Sequence, residues 1–402
     1  MKKTIKRIAT GLMAVLLLLC LWHGSGSMAK AASPSLSKKE LSLQVGKSTV
    51  LKVSNGKGKT MWKSSKKSVA TVSSKGRVKA KKAGTAVITA VNSKKKMTCK
   101  VTVYQKSAQA KSPDVYFTAD ITPDGLLKVY DALSWKPGKK LAVKVSTGEP
   151  PASNYLRPDL IGSLVQSLGG TIVECNTAYG GSRSSTAMHR QVAKDHGFTS
   201  FAEVDIMDED GSLSIPVTGG TRLEEDLVGA HFADYDSFLI LSHFKGHAMA
   251  GFGGAIKNIS IGIGSSEGKV LIHTGGKRKN GSIWGGDQEA FLESMAEAGK
   301  AVSDYLGNGK DIVYINVMNR LSVDCDCDGN PAEPDMHDIG ILASSDPVAL
   351  DQACVDLVYE QKDGDGASLV KRIESLDGLH TLEHAERIGL GSREYRLVDV
   401  DD

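Results

Sequence analysis

Two short stretches hold most of the residues with chemical potential. The first runs Ser242-His243-Phe244-Lys245-Gly246-His247 and continues through Gly251, Gly253 and Gly254 to Lys257-Asn258. Glycines let backbone N–H groups come close to an anion, lysines supply charge, and imidazoles transfer protons or bind metal. No G-K-[ST] occurs within this stretch, so it is not a Walker loop. The expectation is a carboxylate or phosphate site with His243, Lys245, His247, Lys257 and Asn258 as its catalytic set. The second stretch, Asp324–Asp338, packs two thiols, six carboxylates and one imidazole into 15 residues. So many anions repel one another unless a cation or solvent relieves them.

Three readings of the second stretch compete. Asp324-x-Asp326-x-Asp328-Gly329 with Asp335 at the twelfth place imitates a calcium loop, although Pro331 takes the eighth place and the final residue is Asp rather than Glu. Cys325, Cys327 and His337 could instead hold zinc or iron. The third reading is a Cys325–Cys327 disulfide, which suits an exported protein. A divalent metal on Cys325, Cys327, Asp335 and His337 is the leading expectation.

Single residues add to this. Arg183 closes the run Asn176–Arg183 after an apolar strand and is placed to clamp an anion. His273 follows Val270–Ile272, read as a strand, and is expected to face the same cleft. His189 and His196 lie seven apart on one helix and read as structural. His380-x-x-Glu383-His384 matches an inverted zinc-protease pattern, which needs a further acidic ligand well downstream. Cys175 and Cys354 sit in apolar settings and read as core.

The elements that must position these groups alternate. Leu141–Val145, Thr171–Cys175, Phe238–Leu241 and Asp311–Val317 read as strands. Arg157–Leu168, Thr186–His196, Asp287–Leu306 and Pro347–Glu360 read as helices, several ended by glycine. This order predicts an α/β domain with a largely parallel sheet over residues 113–402, whose sites gather where strands end. Residues 33–105 differ: Leu41/Leu43/Val45, Ala86/Ile88/Ala90 and Cys99/Val101/Val103 alternate with period two between Gly, Ser and Asn, the pattern of a small all-β sandwich. Residues 106–112 read as a linker.

Both parts resemble known families. Met61-Trp62-Lys63-Ser64-Ser65, Ser68-Val69-Ala70-Thr71-Val72, Gly76-Arg77-Val78 and Ala83-Gly84-Thr85-Ala86 resemble the bacterial immunoglobulin-like group 2 domain nearly end to end. That resemblance implies adhesion or spacing at a cell surface. In the second part, Lys245-x-His247, Lys257-Asn258 and Ser344-x-Asp346-Pro347-Val348-Ala349-x-Asp351 resemble domain-of-unknown-function family 362 over roughly residues 113–365. Lys144 fits that family's first basic position, although the Lys-Pro-Asn expected there reads Lys144-Val145-Ser146. The family has no general assigned reaction. Some members carry a ferredoxin-like cluster segment; this chain has no C-x-x-C-x-x-C run, so an iron–sulfur cluster is not implied.

Charge divides the same way. Residues 30–111 hold 21 Lys+Arg and one acidic residue, Glu40, whereas residues 112–402 hold 25 Lys+Arg and 45 Asp+Glu. The lysine-rich module suits a polyanion such as cell-wall polymer. Nucleic acid is not expected, because Trp62 is the only clear large aromatic there and is needed inside. Residues 1–31 read as a signal peptide, with a basic start, the apolar run Ile8–Trp22 and Ala29-Lys30-Ala31 as cleavage site. A run of that length is short for a membrane span. The combined expectation is a secreted, surface-associated, metal-dependent enzyme on a small anionic substrate, with Lys144, Arg183 and His273 binding it. The rival is a surface protein that binds a metal or ligand without catalysis.

Overall fold

The computed structural model describes residues 33–104, 112–362 and 364–401. They belong to two compact units that divide between Gln105 and Lys106. The expected signal peptide and nearly all of the expected linker lie outside the described residues. Among the described residues no helix is long and apolar enough to cross a membrane.

The first unit is all β. One sheet has the order Glu40–Gln44, Lys95–Tyr104, Gly84–Asn92, Met61–Ser64, and another Ser48–Val50, Arg77–Ala80, Ala70–Val72. Along Gly84–Asn92 the inward residues Ala86, Ile88 and Ala90 are buried, as period-two alternation requires. Ala86 and Ile88 join Leu51, Val78, Cys99 and Val101 in the core, against which Trp62 packs. Gly76 has φ +77°, and a side chain there would lie 2.3 Å from the Leu51 carbonyl oxygen, so only glycine fits this turn. Lys63, Lys66, Lys67, Lys79, Lys81 and Lys82 face solvent.

The second unit opens with β1 (Asp114–Thr118), α1 (Pro123–Ala132), β2 (Leu141–Lys144), α2 (Pro158–Leu168), β3 (Thr171–Glu174), α3 (Thr186–Asp195) and β4 (Val204–Ile206). Then come β5 (Ser237–His243), α4 (Ala255–Ser260), α5 (Ser266–His273), α6 (Gln288–Tyr305) and β6 (Ile312–Met318). β7 (Gly340–Ser344), α7 (Pro347–Tyr359), α8 (Ala367–Ser375), α9 (Leu379–Ile388) and β8 (Arg396–Asp399) follow, and two small hairpins, Ser212–Pro216 with Glu225–Gly229 and Lys245–His247 with Gly251–Gly253, lie outside the main sheet. The main sheet has the order β4-β3-β2-β5-β6-β7-β1-β8. Strands β2 to β6 pair in parallel, and β7 alone runs against its neighbours β6 and β1. This is the largely parallel α/β sheet that the alternation of elements predicts.

Both faces of the sheet are covered. Leu239 and Leu241 of β5 pack with Leu126 of α1 and Ile161 of α2 on one side. Phe238 and Ile240 pack with Ile256 of α4 and Phe291 of α6 on the other. All seven residues of β5 are buried, which is why its sequence reads as a continuous apolar run. From the edge strand β4 the chain returns to pair β5 with β2. That reversal opens a crevice beyond the carboxyl ends of β2 and β5, the usual ligand position in an open α/β sheet.

One element departs from its sequence reading. Val270–Ile272 is not a strand but lies within α5. The Ser265 hydroxyl accepts from the Gly268 N–H and caps the helix start. Every residue from Gly268 to His273 is buried, so the apolar positions show no helical period.

Candidate active site

A cavity of about 340 Å³ opens at the carboxyl ends of β2, β3, β5 and β6. Lys144, Arg183, His243, Lys245, His247, Lys257, Asn258, His273, Cys325 and Cys327 all line it, so ten of the groups singled out by sequence meet in one place. Many are not free to act on a ligand, and their partners sort them into roles.

The β2–β3 side is a closed ion network. Lys144, 1% exposed, donates to Val145 O (2.5 Å), Glu174 Oε2 (3.3 Å) and Asn258 Oδ1 (3.1 Å). An ammonium has three protons, so Lys144 has none left for a substrate. Through the last of these contacts it holds Asn258 in place. Glu174 also receives Thr147 N (2.6 Å) and Arg183 Nη1 (3.3 Å). Burial pushes the Glu174 carboxyl up, but Lys144, His189 and Arg183 outweigh it and hold it well below the usual range. Arg183 is turned to Glu149 Oε2 (3.2 Å), Ser146 Oγ (3.4 Å) and Tyr179 Oη (3.3 Å) as well. It buttresses the wall, with most of its fork occupied.

The β5–β6 side is a second network centred on Asp326, 2% exposed. Its Oδ1 lies 2.7 Å from His243 Nδ1 and its Oδ2 2.8 Å from Lys245 Nζ. His243 Nε2 faces Asn319 O at 2.6 Å. Both ring nitrogens thus face oxygen atoms of the protein. These contacts tie His243 into the cavity wall beside Asp326. Burial pushes Asp326 up, but Lys245 and His243 outweigh it and keep it ionised far below the usual carboxylate range. Lys245 also donates to His243 O (2.8 Å) and retains one proton for the cavity.

The remaining groups face the cavity with unmet capacity. His247 Nδ1 accepts from Met249 N (3.2 Å) and Ala250 N (2.9 Å). That fixes the tautomer, so Nε2 carries the proton. Burial, with Lys257, His273 and Lys245 nearby, holds His247 well below the usual imidazole range, so it stays neutral. His273 has the opposite tautomer: Nδ1 donates to Lys269 O at 2.6 Å, leaving a lone pair on Nε2. Burial lowers it to about 4. Lys269, unmarked in the sequence reading, donates to Gly264 O (2.6 Å) and Cys175 O (3.4 Å). Lys257 is different again. Among the described residues no acceptor lies within hydrogen-bond distance of its amine, and burial beside Lys245 lowers it to about 7.

The helix that carries Lys257 and Asn258 is held from a distance. Asp351 in α7 accepts Ala255 N (2.7 Å), Ile256 N (2.9 Å) and Asn316 Nδ2 (2.7 Å). A side chain on Gly254 would lie 2.3 Å from Asp351 Oδ1, so the contact needs glycine. Asp346 accepts Val348 N and Ala349 N and caps α7. The Ser344–Asp351 motif therefore builds the site without entering it.

The acidic loop does not gather into one cation site. Asp324 turns to Arg372 (3.4 Å) and Ala332 N, Asp326 to the network above, and Asp328 to Asn330 N. Asp335 caps α8 through Ser368 N (2.9 Å), and the exposed His337 pairs with Asp365 (2.6 Å). Asp335 and His337 lie outside the cavity lining, so neither the calcium set nor a ligand set with His337 is assembled. The donors that do meet are Cys325, Cys327 and His247, with atoms within 4.8 Å of one another. Cys325 and Cys327 are joined as a disulfide. His380 and His384 face Glu293 (3.2 Å and 3.1 Å) on α6, where Arg222 and Arg387 also bind it; two guanidiniums there make an ion network rather than a zinc site. The structural readings fit His189, buried against Thr147 and Glu174, and His196, stacked on Tyr155.

Sequence reasoning missed Glu174 and Lys269 and placed Asp326 only within the acidic loop. Glu174 had one signal, a carboxylate ending an otherwise apolar strand.

A family model described as "Domain of unknown function (DUF362)" matches residues 141–356, and one described as "Bacterial Ig-like domain (group 2)" matches residues 31–103. No curated protein matches the chain. Among solved structures, the lactate racemase apoprotein from Thermoanaerobacterium thermosaccharolyticum is 16% identical over 61% of this chain and 57% of its own, with a TM-score of 0.36. A protein from Thermotoga maritima is 12% identical over 66% of this chain and 58% of its own, at 0.33. Surface layer protein SbsC, domains 1–6, is 20% identical over 22% of this chain and 14% of its own, at 0.17. The chain thus spans less than two thirds of the length of each.

Proposed function

For a chain that belongs to the DUF362 family, described as a domain of unknown function, we propose that the α/β domain is an enzyme that binds a small organic anion at its strand ends. One observation carries this reading: Lys257 brings an amine with no acceptor among the described residues into a walled cavity where Lys245 is its neighbour. An anion supplies the missing partner. The free protons of Lys245 and Lys269 add to its binding. The two neutral imidazoles supply opposite functions, a donor at His247 Nε2 and an acceptor at His273 Nε2, suited to moving a proton on the bound molecule.

A metal is no part of this reading. Zinc or iron on Cys325, Cys327 and His247 would require the disulfide reduced to thiolates. It would also require a turned imidazole, because ligating histidines donate rather than accept through the other nitrogen. For the Ig-like domain we propose surface attachment, with its outward lysines contacting polyanions of the cell exterior.

The test is thermal unfolding with acetate, malonate or inorganic phosphate. A ligand at a hundred times its Kd stabilises the folded state by about 2.7 kcal/mol. Wild-type protein should show this rise in Tm and the Lys257→Met variant should not. An equal rise in both would sink the assignment of the anion to this cavity.

A further inference from the structure

We propose that Lys257 is a nucleophile that forms an imine with the carbonyl carbon of an oxo acid. This deepens the anion-site reading and rests on it. The geometry separates two adjacent lysines. A methyl placed on Gly253 would lie 3.2 Å from Cδ of Lys257 and 3.7 Å from Cε of Lys245. Both stems therefore pass the same bare glycine, and their amines are neighbours. Lys245 is paired, since Asp326 and the His243 carbonyl, each at 2.8 Å, accept from it. Lys257 has no such acceptor among the described residues. A fixed ammonium beside a second amine favours the neutral, nucleophilic form of the second, one of the known ways to activate a lysine. An amine titrating at about 7 is unprotonated at neutral pH roughly a thousandfold more often than an ordinary lysine.

The surroundings fit the substrate class. A carboxylate beside the carbonyl finds the remaining protons of Lys245 and Lys269. The carbonyl oxygen finds His247 Nε2–H, a neutral donor that does not compete for the role of cation. In the step itself the Lys257 amine attacks the carbonyl carbon, and the C=O π pair moves to oxygen. That oxygen takes one proton from the nitrogen and one from solvent and leaves as water. The C=N bond remains protonated, and no oxidant or reductant is consumed. The resulting iminium draws electrons from the adjacent carbon, so a C–H or C–C bond there becomes breakable.

The experiment uses the full-length protein, pyruvate and sodium borohydride at neutral pH, read by intact mass and peptide mapping. The expected result is one reduced adduct on Lys257, competed by acetate or phosphate and lost in Lys257→Arg, which keeps a cation and loses the nucleophile. Mapping on the wild-type chain makes the result independent of how the variant folds. Labelling of solvent-facing lysines of the Ig-like domain with none on Lys257 overturns the proposal. If acetate and phosphate raise Tm but pyruvate gives no adduct on Lys257, the imine fails and the anion site stands. If no anion raises Tm, the anion site itself fails.

Discussion

At the scale of single residues, the site separates groups that are already paired from groups that are not. Lys144, Arg183, His243 and Asp326 are neutralised by one another or by Glu174, and removing one member leaves a buried charge behind. Lys257 behaves in the opposite way, because among the described residues no acceptor lies within hydrogen-bond distance of its amine. Its amine falls from 10.5 to about 7 on folding. Between those values the unfolded chain binds more protons than the folded one, so stability rises with pH across that window. Below pH 7 the full cost of holding that charge in the cavity is present. Lys257→Met should therefore stabilise the ligand-free protein at pH 6 and should flatten the rise in stability from pH 7 to 10. Urea titrations at pH 6, 8 and 10 measure both; a variant that is less stable at pH 6 would contradict the account. Most of these residues were legible in the sequence by type: the loop Ser242–Asn258 announces cations and imidazoles. Their roles were not, because a proton's owner depends on what each nitrogen faces across the sheet. His243 ends β5 and His247 follows four residues on, yet one is locked between Asp326 and Asn319 and the other accepts two backbone N–H groups.

At the scale of elements, the parallel strands explain the convergence. β2, β3, β5 and β6 all end at one edge, so Lys144, Glu174, His243 and the loop bearing Asp326 reach the cavity from four separate parts of the chain. Buried strands with flanking helices are readable as apolar runs, and β2, β3, β5 and β6 were each anticipated. Short buried helices are not, as α5 shows, and it carries Lys269 and His273. The acidic loop misled for a related reason. Its charges look concentrated in sequence, but the loop spreads them among Arg372, α8 and the cavity. Helix α4 is six residues long and too short to be stable on its own. Its start depends on Asp351. Asp351→Ala should leave Ala255 N, Ile256 N and Asn316 Nδ2 without their acceptor and cost roughly 1–3 kcal/mol. It should also weaken anion-dependent stabilisation, since Lys257 sits on that helix. A variant with wild-type stability and an unchanged anion response would show that α4 is held by packing alone.

At the scale of the whole molecule, two units of opposite charge share one chain. The basic unit has an ordinary Ig-like core and an outward coat of lysines; the acidic unit carries an excess of carboxylates, and its cavity gathers Lys245, Lys257 and Lys269. Surface electrostatics of this kind is screened within about 10 Å at 0.1 M salt. The full-length chain should therefore be retained by an immobilised polyphosphate at low ionic strength and released as salt approaches 1 M. A chain lacking residues 33–105 that is retained equally well would remove the Ig-like unit from that role.

The fit of Gly254 against Asp351 reaches into the history of such proteins. The two residues come from distant segments, yet neither tolerates a careless change in the other. A crossover between two related genes that falls between these positions joins halves that were never selected together. Chimaeras with both residues from one parent should assemble α4, while those that bring a bulkier residue to position 254 should fail, whatever the similarity of the remaining sequence. The reach of Asp351 across the fold thus sets where this domain can be cut and recombined.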